Sequence, residues 1–401
     1  MKGRIKTVIA VVIFITAVFL LCYHMTNQDV VSEYQDEMTT PKHKPTAMPT
    51  PCPIPTPLEE MIEPFNYTRK VETINGNRQV IYEIEVNLAN PKVNIQKVLS
   101  HNSIFGFEKT HKIAQRTNAK AAINGGFFHI YGQPSGIIVI NEKLVCTPDK
   151  EGKRAVFMID KQRNATILDM RVMVYIQLND HVMLVDGINR HPHINEIIVF
   201  TPDYGYTTRT NGIDTYNIIV SNQMITGVER TKAPVGIPRD GLVISANAQV
   251  IKKLQDLKTV QADENISVST FYKSEPPIEG IMQAFEGGFW VVRDNEIVVQ
   301  SQEGWVGFTT NREPRTVIGI KESGEVVLIA IDGRQPGHSI GLTGRELGQY
   351  LLDNNIPNAL MLDGGASTTV VLDVEVVNKP SYRGMERMVG GAVVVTIDSE
   401  R

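Results

Sequence analysis

Cysteine is scarce, with three in 401 residues at positions 22, 52 and 146. They fall in three different kinds of segment, so no disulfide framework is available to staple a fold. Neither sign of charge dominates. Forty Lys and Arg face 44 Asp and Glu, for a net charge of −4. Without a basic surplus to displace phosphate counterions, no nucleic-acid partner is expected. The chain has no Walker loop, no dinucleotide fingerprint and no Gly-x-Ser-x-Gly elbow, so no nucleotide cofactor or serine hydrolase is expected. His191-Pro192-His193 comes without a third ligand at zinc spacing, so no metal is expected there. A structural calcium on Asp and backbone oxygens would leave no spacing signature to read. What is present, 42% hydrophobic and 21% charged residues, is a globular composition.

The first 62 residues differ from the rest. Lys2, Arg4 and Lys6 precede an uncharged apolar run from Thr7 to Tyr23. As a helix this run spans about 25 Å at ~1.5 Å per residue, just short of the ~30 Å hydrocarbon core. No small-residue cleavage site follows, and Leu21 before Cys22 departs from a lipoprotein signal. Residues 1–25 therefore read as an uncleaved signal-anchor, with the basic flank inside and all that follows outside the cytoplasm. Cleavage would instead make the protein secreted. Residues 26–62 form a linker, since Thr40–Pro57 carries seven prolines in eighteen residues, an extended semi-rigid spacer.

Residues 63–401 read as one domain of the α+β class, a strand-rich mixed β-sheet with few helices. Short β-branched runs such as Val156–Ile159, Phe289–Val292, Thr316–Ile320 and Glu325–Ile331 recur, and Asp294-Asn295 and Ser323-Gly324 separate hairpin pairs. Helices are expected at Phe107–Thr117 and at Thr343–Asn354, where Thr343-x-x-Glu346 forms a capping box. Two segments correspond internally: KIAQRTNAKAAINGGFF from Lys112, and GQYLLDNNIPNALMLDGGAST from Gly348. Each runs helix, apolar strand, polar residue (Asn124 or Asp363), then Gly-Gly. Arg154–Leu168 and Arg315–Ile329 likewise each open a hairpin with Arg. An internal duplication would account for both pairs.

Adjacent glycines after a strand let backbone approach a ligand. In MLDGGASTTVV the acid ends a strand, and backbone N–H groups and hydroxyls follow as donors for an anion. Phe285-Glu286-Gly287-Gly288 repeats the glycine pair.

AINGGFF, PRTVIGI, LIAIDGR, LMLDGGASTTVV and VNKPSYRGMERMVGGAVVV, in that order, resemble the phosphodiester glycosidase family over Val93 to Thr396. The resemblance is strongest in the C-terminal third and weaker from Asp169 to Pro277. The family's DGGGS stands here as Asp363-Gly364-Gly365-Ala366-Ser367. The resemblance implies hydrolysis of a sugar joined through its anomeric carbon to a phosphodiester. Such a reaction passes through an oxocarbenium-like state served by carboxylates, while the departing phosphate needs cations and N–H donors. Asp363 and Asp332, each at a strand end before Gly, are the expected catalytic pair, with Glu286 a third candidate. Arg315, Arg334 and Arg387 are expected to clamp phosphate through their guanidinium forks. Asn124, Gly125, Gly126, Gly364, Gly365, Ser367 and Thr368 would bind the sugar or the phosphate oxygens. Trp290 and Trp305 could platform a sugar ring, although packing is the commoner fate of such residues. No cofactor is expected. The expected substrates are phosphorylated glycans of the cell surface or wall, with the membrane reached through the N-terminal anchor. The rival reading is a surface module that binds glycans or assists exopolysaccharide assembly without turnover.

Overall fold

Arg315–Ile320 and Val326–Ile331 pair around the Ser323-Gly324 turn, Ile320 opposite Val326 and Arg315 opposite Ile331. Both strands are buried nearly end to end, which is why they read as unbroken apolar runs rather than as alternation. The structure is a computed structural model and describes residues 63–149, 152–179, 181–255 and 267–398. The anchor expected at 1–25 and the linker at 26–62 lie outside the described residues. Among the described residues no helix is long and apolar enough to cross a membrane.

The hairpin sits inside a seven-stranded antiparallel sheet ordered Phe65–Ile74, Asn77–Val86, Val326–Ile331, Arg315–Ile320, Asn358–Met361, Phe289–Arg293, Glu296–Ile297. Asp294 and Asn295 turn its last hairpin with φ of 50° and 66°, the paired positive angles that match strand twist. A second seven-stranded sheet is built around Arg154–Asp160, Ala165–Leu178 and Ile281–Glu286. A five-stranded sheet spans residues 187 to 231 and takes in Gly241–Asn247; its Gly187–Ile188 strand runs parallel to Ile197–Phe200, so the sheets are mixed. The other five-stranded sheet is ordered Glu375–Val376, Val370–Leu372, Ala121–Asn124, Gly391–Ile397, Val93–Leu99.

One core joins all four sheets. Ile84, Ile318, Leu328 and Leu360 meet Phe157 and Phe285, Phe200 and Val243, and Ile95, Ile123 and Val393. Each such side chain contributes about 1.5–3 kcal/mol when fully buried, so the four sheets are held as one body.

Helices are few and short. Thr343 caps Gly344–Asp353 through the anticipated box: its Oγ accepts from Glu346 N, and Glu346 Oε2 accepts from Thr343 N. Leu347, Tyr350 and Leu351 form the buried face. The other expected helix is shorter than its pattern suggested, Thr110–Arg116. Glu108 and Lys109 instead pair as strand with Val389 and Met388, and Glu108 accepts from Arg116 Nε and His101 N.

The two helix–strand–Gly-Gly segments belong to different sheets, yet their strand ends abut. Asn124 Nδ2 donates to Asp363 O (2.5 Å), and Asp363 N donates to Gly125 O (3.3 Å). This junction places the site.

Candidate active site

Asp363 follows Asn358–Met361 and lines a cavity of about 410 Å³. Its Oδ2 accepts from Ser367 Oγ (2.5 Å), which in turn accepts from Arg387 Nη1 (3.0 Å). Burial pushes the carboxyl up to about 6, against the opposing pull of Ser367, Arg387 and Lys97. Gly365, at φ +58°, turns the chain back after the acid, in a region that glycine enters without steric penalty. Its N–H donates to Pro314 O (2.8 Å), while the Gly364 and Ala366 amides donate to none of the described residues. Both line the cavity and remain available to an anion.

Arg315, Arg334 and Arg387 all reach this cavity, from three separate segments. Their freedom differs. Arg315 is 3% exposed and spends Nε on Leu342 O (2.9 Å) and Nη2 on Asn311 O (2.8 Å), holding the loop before its strand. Burial lowers it to about 10, still a cation at neutral pH. Arg334 ion-pairs with Glu313. Arg387 lies 5.2 Å over the Phe128 ring with no carboxylate in ion-pair range among the described residues. It is therefore the cation best placed to meet a phosphate.

The second carboxylate on the cavity is Glu313, not Asp332. Asp332 is 1% exposed and surrounded by donors: Tyr82 OH (3.1 Å), His338 Nε2 (2.8 Å), Asn378 Nδ2 (3.0 Å) and Lys379 N (3.1 Å). It ties segments together and does not face the cavity. Glu286 also lies off the cavity. Its Oε2 accepts from Ile137 N (3.2 Å), Oε1 is 3.8 Å from Arg154 Nε, and burial raises it to about 7. Asn124, Ser367 and Thr368 are buried as well. Asn124 Oδ1 accepts from Thr316 Oγ (3.0 Å) and Thr369 N (3.1 Å), and Thr316 Oγ also bonds Thr368 Oγ (3.1 Å). These three residues position the cavity wall rather than line it.

Gly125 serves a different purpose from the one its sequence suggested. A Cβ there would lie 2.1 Å from Lys97 Nζ and 2.9 Å from Gly391 O, and its N–H is already taken by Gly391 O. The glycine leaves room for a lysine, not for a ligand. A Cβ on Gly126 would likewise meet Glu286 O at 2.9 Å.

Lys97 was not anticipated. In Val93–Leu99 inward positions alternate, and Lys97 occupies the slot after Val93 and Ile95. It is 5% exposed, its ammonium 5.9 Å from the Phe285 ring centroid, with no ion pair or hydrogen bond among the described residues. Burial lowers it to about 8, with Cys146 and Asp363 opposing. A lysine at an apolar position of an alternating strand is the signal that could have found it. Between about 8 and its ordinary 10.5 the unfolded chain binds more protons, so wild-type stability rises with pH across that window. Lys97→Met is expected to lose that rise in denaturant titrations. Removing the cation is also expected to move the Asp363 titration above 6. An unchanged pH profile in both respects would show the ammonium uncoupled from the site.

Phe127 and Trp305 form a stacked wall at 5.2 Å and 19°, and Phe128 and Phe308 add apolar faces. Trp290 lies elsewhere, donating to Asp169 Oδ1 (2.7 Å) beneath Arg293. Among the described residues no group of three or more His, Cys, Asp or Glu stands where it could hold a metal ion.

Comparison with known families shows what this arrangement is similar to. The family model described as phosphodiester glycosidase matches residues 214–396. Over residues 214–396 the chain is similar to the phosphodiester glycosidase family. The match includes Glu286, Glu313, Arg315, Asp332, Arg334, Asp363 and Arg387, and leaves Lys97 and Asn124–Gly126 outside it. The chain is 29% identical over 118 residues to SPbeta prophage-derived uncharacterized protein YomE of Bacillus subtilis, covering 29% of this chain and 18% of that protein. It is 27% identical over 118 residues to N-acetylglucosamine-1-phosphodiester alpha-N-acetylglucosaminidase of Bos taurus, covering 27% and 22%. The aligned stretches thus span about a fifth of these relatives' own lengths. A solved hypothetical protein from Synechocystis shares the fold, with a TM-score of 0.71 at 19% identity over 83% of this chain and 62% of that one.

Proposed function

We propose that this chain hydrolyses the anomeric C–O bond of a sugar-1-phosphodiester in an extracytoplasmic glycan. One observation carries the reading: Asp363, Glu313 and three arginines line a single cavity beside a stacked aromatic wall. The aromatic faces would hold the sugar ring. As the C1–O bond breaks, its electron pair leaves with the phosphate, whose charge meets Arg387, Arg334 and the Gly364 and Ala366 amides. Phosphate leaves readily, so no strong general acid is required. Water attacks the anomeric carbon, and Asp363, raised towards neutrality, accepts its proton. Glu313 supplies negative charge beside the developing oxocarbenium.

The basic flank before Thr7–Tyr23 supports a location outside the cytoplasm, where wall polymers and exopolysaccharides supply such linkages. The meeting of two helix–strand–Gly-Gly ends supports reading them as copies of one ancestral unit. The test is release of free sugar from a panel of defined sugar-1-phosphodiesters by the full-length chain. Release from at least one is expected. Glycan binding without release from any would make this a binding module and overturn the reading.

A further inference from the structure

Behind the aromatic wall lies a second cavity of about 440 Å³. The loop after Asn124 lines both: Phe127 and Phe128 face the first, His129 and Tyr131 the second. Trp305 joins them, stacked on Phe127 and 5.7 Å from the His129 ring.

The charges of this cavity do not cancel. His129 pairs with Asp149 (3.2 Å), and Arg190 is held by Glu196 (2.7 Å). Arg209 has no carboxylate in ion-pair range and no hydrogen bond among the described residues. Its guanidinium lies 4.0 Å over the Phe105 ring, which fixes the plane of the fork while leaving its N–H donors unspent. Tyr204 lines the same space, and its hydroxyl likewise bonds to none of the described residues. Tyr131, 64% exposed, offers a flat face at the rim. Asp149 can accept from sugar hydroxyls while paired with His129. An aromatic rim, hydroxyl partners and one unspent guanidinium suit a hydroxyl-rich ring carrying an anion.

We propose that this second cavity binds the adjoining repeat of a substrate with several sugar-phosphate linkages, Arg209 holding the next phosphate and Tyr131 covering its sugar. This rests on the glycosidase reading above and adds that the enzyme reads more than the linkage it cuts.

The test compares two substrates with the full-length chain: a single-linkage sugar-1-phosphodiester with a methyl aglycone, and a two-repeat oligomer of the same sugar phosphate. Wild type is expected to show a kcat/KM about tenfold higher on the oligomer, the size of one charge-assisted hydrogen-bond pair. Arg209→Gln is expected to remove that advantage through KM and leave the single-linkage substrate unchanged. Tyr131→Ala, at an exposed rim position, should act the same way. Equal effects of Arg209→Gln on both substrates, or none on either, would overturn the proposal. The sugar phosphate is one that wild type releases in the panel above; if it releases none there, the reaction itself is refuted, and calorimetric binding of the oligomer decides the cavity. About tenfold weaker binding by Arg209→Gln sustains it, and unchanged binding overturns it.

Discussion

Asp363→Asn is expected to lower kcat/KM on a sugar-1-phosphodiester by about a thousandfold, the loss typical of a positioned proton-transfer group, without lowering stability at neutral pH. The backbone on either side is fixed independently of the carboxylate, through Asn124 Nδ2 to Asp363 O and Asp363 N to Gly125 O. The amide oxygen can still accept from Ser367. What is lost is the ability to take a proton. Stability should move the other way. The folded acid titrates near 6 rather than at its ordinary 3.8, so the folded state binds more protons between these values. Wild-type stability therefore declines as pH rises from about 4 to about 6, and above that a buried charge remains. The asparagine variant carries no such charge, and at pH 7 its Tm should equal or exceed that of wild type. Activity within a few-fold of wild type would remove Asp363 from the chemistry.

Asp332→Ala is expected to act in the opposite manner, lowering stability by about 3–5 kcal/mol as expected when one member of a buried charged network is deleted. Tyr82, His338, Asn378 and the Lys379 amide all converge on this carboxylate. Truncation strands buried donors, each costing about 1–3 kcal/mol when left unmade. Asn378 also donates to Thr368 O and accepts from Val370 N, so the strain reaches the segment behind Asp363. Thermal melts of Asp332→Ala and Asp332→Asn separate the roles. A positioning residue gives a large fall in Tm for alanine, a smaller one for asparagine, and retained turnover where the variant is folded. A catalytic Asp332 would instead lose turnover in the asparagine variant with Tm unmoved.

The contrast between Asp363 and Asp332 shows how far local pattern carries. Both end a buried strand and precede glycine, so the strand-Asp-Gly pattern by itself does not distinguish them. The difference is made by Asn378 and Lys379 folding over Asp332, while Ser367 and Arg387 leave Asp363 at the cavity. Glu313 escaped notice because it lies in a loop, and only the Arg334 ion pair and the cavity wall give it meaning. The hairpins at Asp294-Asn295 and Ser323-Gly324 and the cap at Thr343 were legible because turn and capping chemistry act over three or four residues. The Gly-Gly pairs marked the right place for an incomplete reason. At Gly125 the missing Cβ makes space for Lys97, a residue from a strand well before it in the chain.

The strand Gly391–Ile397 lies between Val93–Leu99 and Ala121–Asn124, pairing with both in register. A chain emerging from the ribosome thus lacks the piece that completes the sheet holding Lys97 and Asn124 until Gly391–Ile397 itself has been made. Every contact of that strand with its neighbours spans most of the domain, and such long-range closure is slow. The junction of Asn124 with Asp363 consequently waits on the longest-range closure of that sheet.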